Sequence, residues 1–244
     1  MSDINLDEYY KGMQMKTIGL IGGMSWESTQ VYYHHINTLT NNQLGGLNSA
    51  KINLCSLNFS EIEKLMFKND WESVSDIIID AALKLEKTGA DFILICTNTV
   101  HKVFDQVQSA VNTKIIHIAD AVGEQLVAQR IKCAGLLGTN FTMEEDFLTK
   151  SYKDKYGIEV IVPREDERSI IHSIIFDELC LGKIIDNSRK EMVRIINSLR
   201  HRGAEGVILG CTEIPMLLKD SDTNVSLFDT ALIHSAKAVK LALD

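Results

Sequence analysis

The segment Phe92–Thr99 reads FILICTNT, and the segment Gly206–Glu213 reads GVILGCTE. Each begins with a short apolar run of strand length and ends in small polar residues that include a Cys-Thr pair. Helical patterns that close at a glycine, Gly89 in one case and Gly203 in the other, come just before them. A helix followed by a buried strand is typical of a βαβ unit, so both segments predict parallel α/β structure.

The correspondence between these segments extends toward the start of each half of the chain. Gly19–Gly22 (GLIG) resembles Gly135–Gly138 (GLLG), and each precedes one of the Cys-Thr segments by nearly the same distance. Two matched motifs at matched spacing indicate an internal repeat. We therefore predict an α/β fold of two pseudo-symmetric lobes, each a parallel sheet flanked by helices, with the active site in the cleft between them.

The remaining apolar patterns supply the elements of the two lobes. The predicted strands are Thr17–Ile21, Lys51–Leu57, Asp91–Ile95, Lys114–His117, Cys133–Leu137, Glu159–Val162 and Gly206–Leu209. The predicted helices are Ser28–Thr40, Trp71–Thr88, Met143–Tyr156, Arg189–Arg202 and Asp229–Leu243.

The repeat and the composition together suggest how the chain divides into domains. Residues 1–14 are polar and acidic, and we expect a flexible N-terminal extension there rather than a signal peptide. Residues 15–112 form the first lobe and residues 113–222 the second. Residues 223–244 return to the first lobe, because the pattern of the second half has ended by then.

Composition excludes several classes of function. The chain has 244 residues and a net charge of −8, which does not favour nucleic-acid binding. No apolar run is long enough to span a membrane. Its five cysteines are odd in number and form no CxxC pair, so neither a disulfide framework nor a metal site is expected, and a reducing, cytoplasmic location fits best.

Small polar residues follow four of the predicted strands, where ligands bind in parallel α/β sheets. Hydroxyl groups and backbone N–H groups at such positions favour an anion such as a carboxylate. Neither GxGxxG nor GxxxxGK[ST] occurs, so a nucleotide site is not favoured. The four segments are Gly22–Ser25, Cys96–Thr99, Gly138–Asn140 and Cys211–Glu213.

Several longer stretches make the sequence similar to the aspartate/glutamate racemases of the Asp/Glu/hydantoin racemase superfamily. The resemblance runs from Met15 to the end of the chain. The matching stretches are Ile18–Thr29 (IGLIGGMSWEST), Gly45–Glu63, Cys96–Lys102 (CTNTVHK), Gly138–Phe147 (GTNFTMEEDF), Ile175–Gly182 (IFDELCLG), Gly210–Ile214 (GCTEI) and Phe228–His234.

The resemblance implies racemisation of aspartate or glutamate without a cofactor, by proton transfer at Cα between two residues on opposite sides of the substrate. Inverting a carbon centre requires one group to remove a proton and another to deliver one to the opposite face. The family's second catalytic Cys maps onto Cys211. Its first maps onto Thr97, and the chain resembles a subgroup that has Thr there. Cys96 is one residue earlier and would point the other way, but a local backbone shift that brings it into the site remains an alternative.

The substitution of Thr for Cys predicts an asymmetric enzyme, because a hydroxyl is a far weaker acid than a thiol and a poor resting base. The resemblance further implies a homodimer that acts on a small-molecule amino-acid substrate and needs no metal and no nucleotide. Glu213 is an alternative to Glu178 for binding the substrate ammonium, and Arg164 or Arg168 could orient an anionic side chain. The substrate-binding candidates are Met24, Ser25, Asn98, Thr99, Thr139, Glu178 and Thr212.

Two other kinds of function stay open at this point. Hydantoin racemase, maleate isomerase and arylmalonate decarboxylase share the fold, which cannot by itself distinguish them. A non-catalytic amino-acid-binding protein is the alternative that Thr97 favours, since the loss of one acid/base group could mean the loss of turnover.

Overall fold

The computed structural model describes residues 15–244. The extension predicted at residues 1–14 lies outside the described residues. None of the helices within residues 15–244 has both the length and the apolar character needed to cross a membrane.

Two four-stranded sheets form the framework, and every strand pair in them is parallel. The strand orders are β2-β1-β3-β4 in the first sheet and β6-β5-β7-β8 in the second, so the two lobes have the same topology. The strands are β1 (Ile18–Gly22), β2 (Ile52–Ser56), β3 (Phe92–Ile95), β4 (Lys114–Ile116), β5 (Cys133–Leu137), β6 (Glu159–Ile161), β7 (Gly206–Leu209) and β8 (Ser226–Asp229).

Helices cover both faces of each sheet, as the predicted fold class requires. They are α1 (Trp26–Leu44), α2 (Phe59–Phe67), α3 (Trp71–Lys87), α4 (Phe104–Ala110), α5 (Ile118–Ala128), α6 (Asn140–Glu144), α7 (Phe147–Tyr156), α8 (Glu165–Ser173), α9 (Asp186–His201), α10 (Ile214–Leu217) and α11 (Thr230–Leu243).

The central strands are buried on both faces, which explains why they read as continuous apolar runs. In β3, Ile93 and Ile95 pack in one core with α3, whereas Leu94 packs in a second core with α1 and α11. In β7, Val207 and Leu209 pack with α8 and α9, whereas Ile208 packs with α5 and α7. Alternate residues of each strand therefore belong to different cores.

Both lobe boundaries predicted from the sequence, after residue 112 and after residue 222, are wrong. Lys114–Ile116 pairs with β3 in the first sheet, although it was assigned to the second lobe. Ser226–Asp229 is a strand that pairs with β7 in the second sheet, although the sequence placed it in the first lobe and predicted no strand. Each lobe therefore ends in an edge strand followed by a helix, α5 or α11, that leads to the other lobe.

Other local predictions also need correction. The helix predicted at Met143–Tyr156 is two helices, α6 and α7, because the backbone at Glu145 is extended (φ −93°, ψ 147°). Helices α2, α4, α5, α8 and α10 were not predicted. Of these, α2 supplies part of the functional site.

Candidate active site

A cavity of about 60 Å³ lies between the two sheets, at the carboxyl ends of the strands. The loops that follow β1, β3, β5 and β7 all reach it, so the structure brings together the four polar segments identified in the sequence. The residues that line it are Met24, Ser25, Phe59, Met66, Thr97, Asn98, Thr99, Val100, Thr139, Phe141, Ile175, Phe176, Cys180, Gly210, Cys211, Thr212 and Glu213.

Thr97 lines the cavity and Cys96 does not. Cys96 is fully buried in the core that contains Leu94 and Tyr32, and burial raises the pKa of its thiol. This placement follows from strand alternation: Cys96 continues the face of Leu94, whereas Thr97 continues the face of Ile93 and Ile95. The thiol of Cys96 is therefore directed away from the cavity.

His101 holds the backbone of the loop that carries Thr97. Its Nε2 accepts a hydrogen bond from the amide of Ile118 at 3.1 Å, so the ring proton is on Nδ1, which donates to the Thr97 carbonyl at 2.8 Å. Burial lowers the pKa of His101 to about 4, so the ring is neutral near pH 7. His101 therefore positions Thr97 and does not reach the cavity itself.

Cys211 lies on the loop after β7, in the second lobe, and lines the cavity opposite the first lobe, which carries Thr97. Its thiol donates to the Glu213 carboxylate at 2.9 Å. The Thr212 hydroxyl donates to the same carboxylate oxygen at 2.8 Å. Burial raises the pKa of Cys211 well above its usual value, and the charge and hydrogen bond of Glu213 raise it further. The resting thiol is therefore protonated, with a carboxylate in place to receive its proton.

The same carboxylate connects the two lobes. Ser25, at the start of α1, donates to the other Glu213 oxygen at 2.9 Å and also caps the helix by accepting from the amide of Ser28 at 3.1 Å. Glu213 is only 5% exposed, so its charge is compensated mainly by these three hydroxyl and thiol donors.

A second contact between the lobes is made of hydroxyl groups. The Thr142 hydroxyl lies 3.2 Å from that of Thr99 in the first lobe and 3.3 Å from that of Thr139 in the second. Since a hydroxyl group can donate as well as accept, this cluster can reorient to donate to a carboxylate in the cavity.

Asn98 lines the cavity, and its buried side chain leaves one acceptor unpaired. Its side-chain NH₂ donates to Thr230 at 3.0 Å, and Thr230 donates to the Leu209 carbonyl at 2.9 Å. Its amide oxygen is buried and finds no donor anywhere in residues 15–244. An unpaired buried acceptor is costly, so this oxygen is suited to an ammonium group of a ligand.

Glu178 does not line the cavity, which corrects its assignment as a substrate-binding residue. It belongs to a π-helical turn, Ile174–Glu178, that turns Ile175 and Phe176 toward the cavity and places Glu178 along a separate surface depression beside Ser173. Arg168 is also elsewhere, paired with Glu144 at 3.2 Å, and Arg164 is exposed.

The apolar lining residues were the main omissions of the sequence-based site. Glu213, named from the sequence as the alternative to Glu178, does line the cavity. Phe59 and Met66 could not be predicted, since they come from a helix that the sequence pattern did not reveal. In residues 15–244 no group of three His, Cys, Asp or Glu side chains is arranged to hold a metal ion.

Comparison with known proteins places this geometry in a family. The sequence profile described as Asp/Glu/hydantoin racemase matches residues 21–238. The chain belongs to the Asp/Glu/hydantoin racemase family. It is accordingly a racemase, an isomerase, and the resemblance read from its motifs is confirmed at the level of the family.

Individual relatives agree over almost the full length of the chain. A broad-specificity amino-acid racemase, RacX of Bacillus subtilis, is 30% identical over 234 residues, which are 93% of this chain and 98% of the relative. A candidate Asp/Glu racemase from Yersinia pestis is 47% identical with a TM-score of 0.89, covering 94% of this chain and all of that one. An aspartate racemase homologue from Pyrococcus horikoshii is 39% identical with a TM-score of 0.84, over the same shares.

Proposed function

We propose that this racemase inverts the Cα of an amino acid without a cofactor, with Cys211 and Thr97 as the two proton carriers. The observation that supports this proposal is that the two side chains line one cavity from opposite lobes. A substrate Cα between them would have one carrier on each face. The family resemblance suggests aspartate and glutamate as substrates. Because the Bacillus relative is a broad-specificity amino-acid racemase, other amino acids should be tested as substrates as well.

The polar groups of the cavity suit the two charged groups of an amino acid. The ammonium group would be held by the free Asn98 oxygen and the Glu213 carboxylate. The α-carboxylate would accept from the hydroxyls of Thr99, Thr139 and Thr212 and from backbone N–H groups. Met24 and Ser25 would complete the wall on the side of the first lobe.

Proton transfer would begin at Cys211. Its thiol gives its proton to Glu213, and the resulting thiolate removes the α-proton. An ammonium group bound beside Cys211 favours this step, because a nearby positive charge lowers the pKa of a thiol. The Thr97 hydroxyl then protonates the opposite face of Cα and becomes an alkoxide. Glu213 releases to solvent the proton that it received from Cys211, and solvent reprotonates Thr97. The enzyme thereby returns to its starting state.

The chemistry favours one direction over the other. A threonine hydroxyl is a stronger acid than the α-carbon of the substrate, so it can deliver a proton, but its alkoxide is hard to generate as a base. We therefore expect a higher kcat for the enantiomer whose α-proton faces Cys211. Because enantiomers have equal free energies in water, kcat/KM must be the same in both directions, and the asymmetry must appear in kcat and KM separately.

A homodimer and a cytoplasmic location are part of the same proposal. All five cysteines are free, as a reducing compartment requires. Two aromatic side chains on α1, Trp26 and Tyr33, are 65% and 55% exposed and offer an apolar surface for a second copy. Light scattering of the purified protein tests the dimer directly.

Proton NMR in D₂O tests the enzymatic part of the proposal. The protein is mixed with each enantiomer of aspartate, glutamate and a panel of neutral amino acids, with no cofactor added. Loss of the α-proton signal together with formation of the opposite enantiomer, measured on a chiral column, is the expected result. Binding of an amino acid without any exchange would instead support a ligand-binding protein of the same fold.

A further inference from the structure

The part of the cavity that would receive the substrate side chain is apolar. Aromatic and aliphatic groups from three separate elements line it: Phe59 and Met66 from α2, Phe141 from α6, and Ile175 and Phe176 from the π-helical turn. None of these side chains carries a hydrogen-bonding group that could bind a carboxylate.

The lining also lacks positive charge. Among residues 15–244, no Arg, Lys or His lines the cavity, and the one carboxylate that does, Glu213, is negative. A second carboxylate on the substrate would therefore enter an apolar wall next to a like charge. Both effects oppose the binding of aspartate or glutamate.

Lys102, two residues after the lining residue Val100, is engaged with other groups. Lys102 is paired with Glu145 at 2.6 Å and lies 4.1 Å from the centre of the Trp71 ring. The Trp71 ring itself packs edge-on against Phe141, with the ring centres 6.5 Å apart. Lys102 is thus held on Trp71, behind the cavity wall.

His172 also lies beside the apolar wall, against Phe176. Its ring packs on Phe176 with the centres 4.6 Å apart, and burial lowers the pKa of the imidazole. A ring that is neutral near pH 7 and covered by Phe176 does not supply the charge that a carboxylate would need.

We infer that the substrate of this racemase carries an uncharged, mainly apolar side chain, and that aspartate and glutamate are disfavoured. The inference rests on the proposed function, since it concerns the same cavity. The zwitterionic part of an amino acid is matched by Glu213, Asn98 and the threonine hydroxyls. A charge on the side chain has no such match in residues 15–244.

Matched substrate pairs test this inference on the unaltered protein. α-Proton exchange in D₂O is measured for L-asparagine against L-aspartate and for L-methionine against L-glutamate. The neutral member of each pair should have a kcat/KM at least about tenfold higher, because an unpaired buried charge is strongly disfavoured. Binding is measured in parallel by isothermal titration calorimetry with the same four amino acids.

A pair of variants isolates the contribution of charge. Phe141→Lys introduces a cation at the partly buried edge of the apolar wall, and Phe141→Gln introduces a neutral polar group of similar length. The ratio of glutamate to methionine exchange should rise about tenfold in the Lys variant and change little in the Gln variant. If the Lys variant does not fold, the comparison on the unaltered protein still decides the question.

The outcomes separate the inference from the proposed function. Preferential binding of methionine and asparagine without exchange would overturn the racemase mechanism and support the apolar pocket. Exchange that is faster with aspartate or glutamate than with their neutral partners would overturn the inference and support the mechanism. Neither binding nor exchange with any of the four would overturn both.

Discussion

The loops after β3 and β7 occupy equivalent places in two lobes of the same topology, yet they are chemically different. The first presents the Thr97 hydroxyl and is anchored through its backbone by a buried, neutral His101. The second presents the Cys211 thiol, which is hydrogen-bonded to the carboxylate of Glu213. A symmetric framework thus holds two chemically different side chains, the proposed proton carriers, of which only Cys211 is hydrogen-bonded to a carboxylate.

Removing the thiol should have the largest effect on this pair. Cys211→Ser leaves two hydroxyls and no group that ionises readily, so α-proton exchange should fall by about 10³-fold or more. Exchange is followed by NMR in D₂O. Cys133→Ser, at the start of β5 and away from the cavity, is the matched control and should retain activity. Retained exchange in Cys211→Ser would contradict the proposed role of the thiol.

Making the two loops chemically alike should reduce the asymmetry. Thr97→Cys supplies a second thiol, so the kcat values for the two enantiomers should become similar, while Thr97→Ser should preserve the original bias. The measurement is the initial rate from each enantiomer at saturation, with polarimetry or a chiral column. An unchanged bias in Thr97→Cys would show that Thr97 is not the second proton carrier.

Neutralising the Glu213 carboxylate should shift the pH dependence of kcat/KM. Glu213 raises the pKa of Cys211 by its charge and by accepting a hydrogen bond from the protonated thiol. In Glu213→Gln the rising limb of kcat/KM against pH should therefore move to lower pH. The plateau value should drop about tenfold, because a carboxylate proposed to hold the substrate ammonium is lost. Glu72→Gln, exposed on α3, is the control. A limb that moves to higher pH would refute the arrangement.

His101, which anchors the loop after β3, should make the stability of the fold sensitive to acid. His101 has a pKa of about 4 when folded and near its usual 6.5 when unfolded. The unfolded chain therefore binds the proton more readily below pH 6.5. The stability that His101 confers is complete above that pH and is lost progressively as the pH falls toward 4, by about 2 kcal/mol at pH 5.

Urea unfolding at pH 7 and at pH 5 measures this effect. The loss of unfolding free energy between the two pH values should be smaller in His101→Gln than in the unaltered protein. It should be unchanged in His201→Gln, whose side chain is exposed. His117 and His234, buried beside His101 with pKa values lowered to about 2 and about 3, should add to the acid sensitivity in both variants.

The smallest effect on activity is expected at Cys96. Because its thiol lies in the core and not in the cavity, Cys96→Ala should leave α-proton exchange within about threefold and cost about 1 kcal/mol of unfolding free energy. Exchange by NMR and urea unfolding give the two numbers. A loss of exchange comparable to that in Cys211→Ser would favour the alternative in which Cys96 replaces Thr97.

The sequence by itself determined the repeat, the parallel strands and the polar segments at their carboxyl ends. These features are local: a short run such as FILI is typical of a strand covered on both faces, and the residues that follow such a strand lie at the end of the sheet. Strand alternation also separates Thr97 from Cys96 on the sequence alone. The assignment of the family rested on the same stretches.

The tertiary structure alone decided which side chains share the cavity and which sheet each edge strand joins. Ser226–Asp229 and Lys114–Ile116 are short, and their partners are set by long-range pairing that no local pattern encodes. Glu178 lies outside the cavity because it belongs to a π-helical turn, whereas Phe59 and Met66 line the cavity from a helix that was not predicted. The charge and shape of the cavity depend on these directions, which only the packing of both lobes defines.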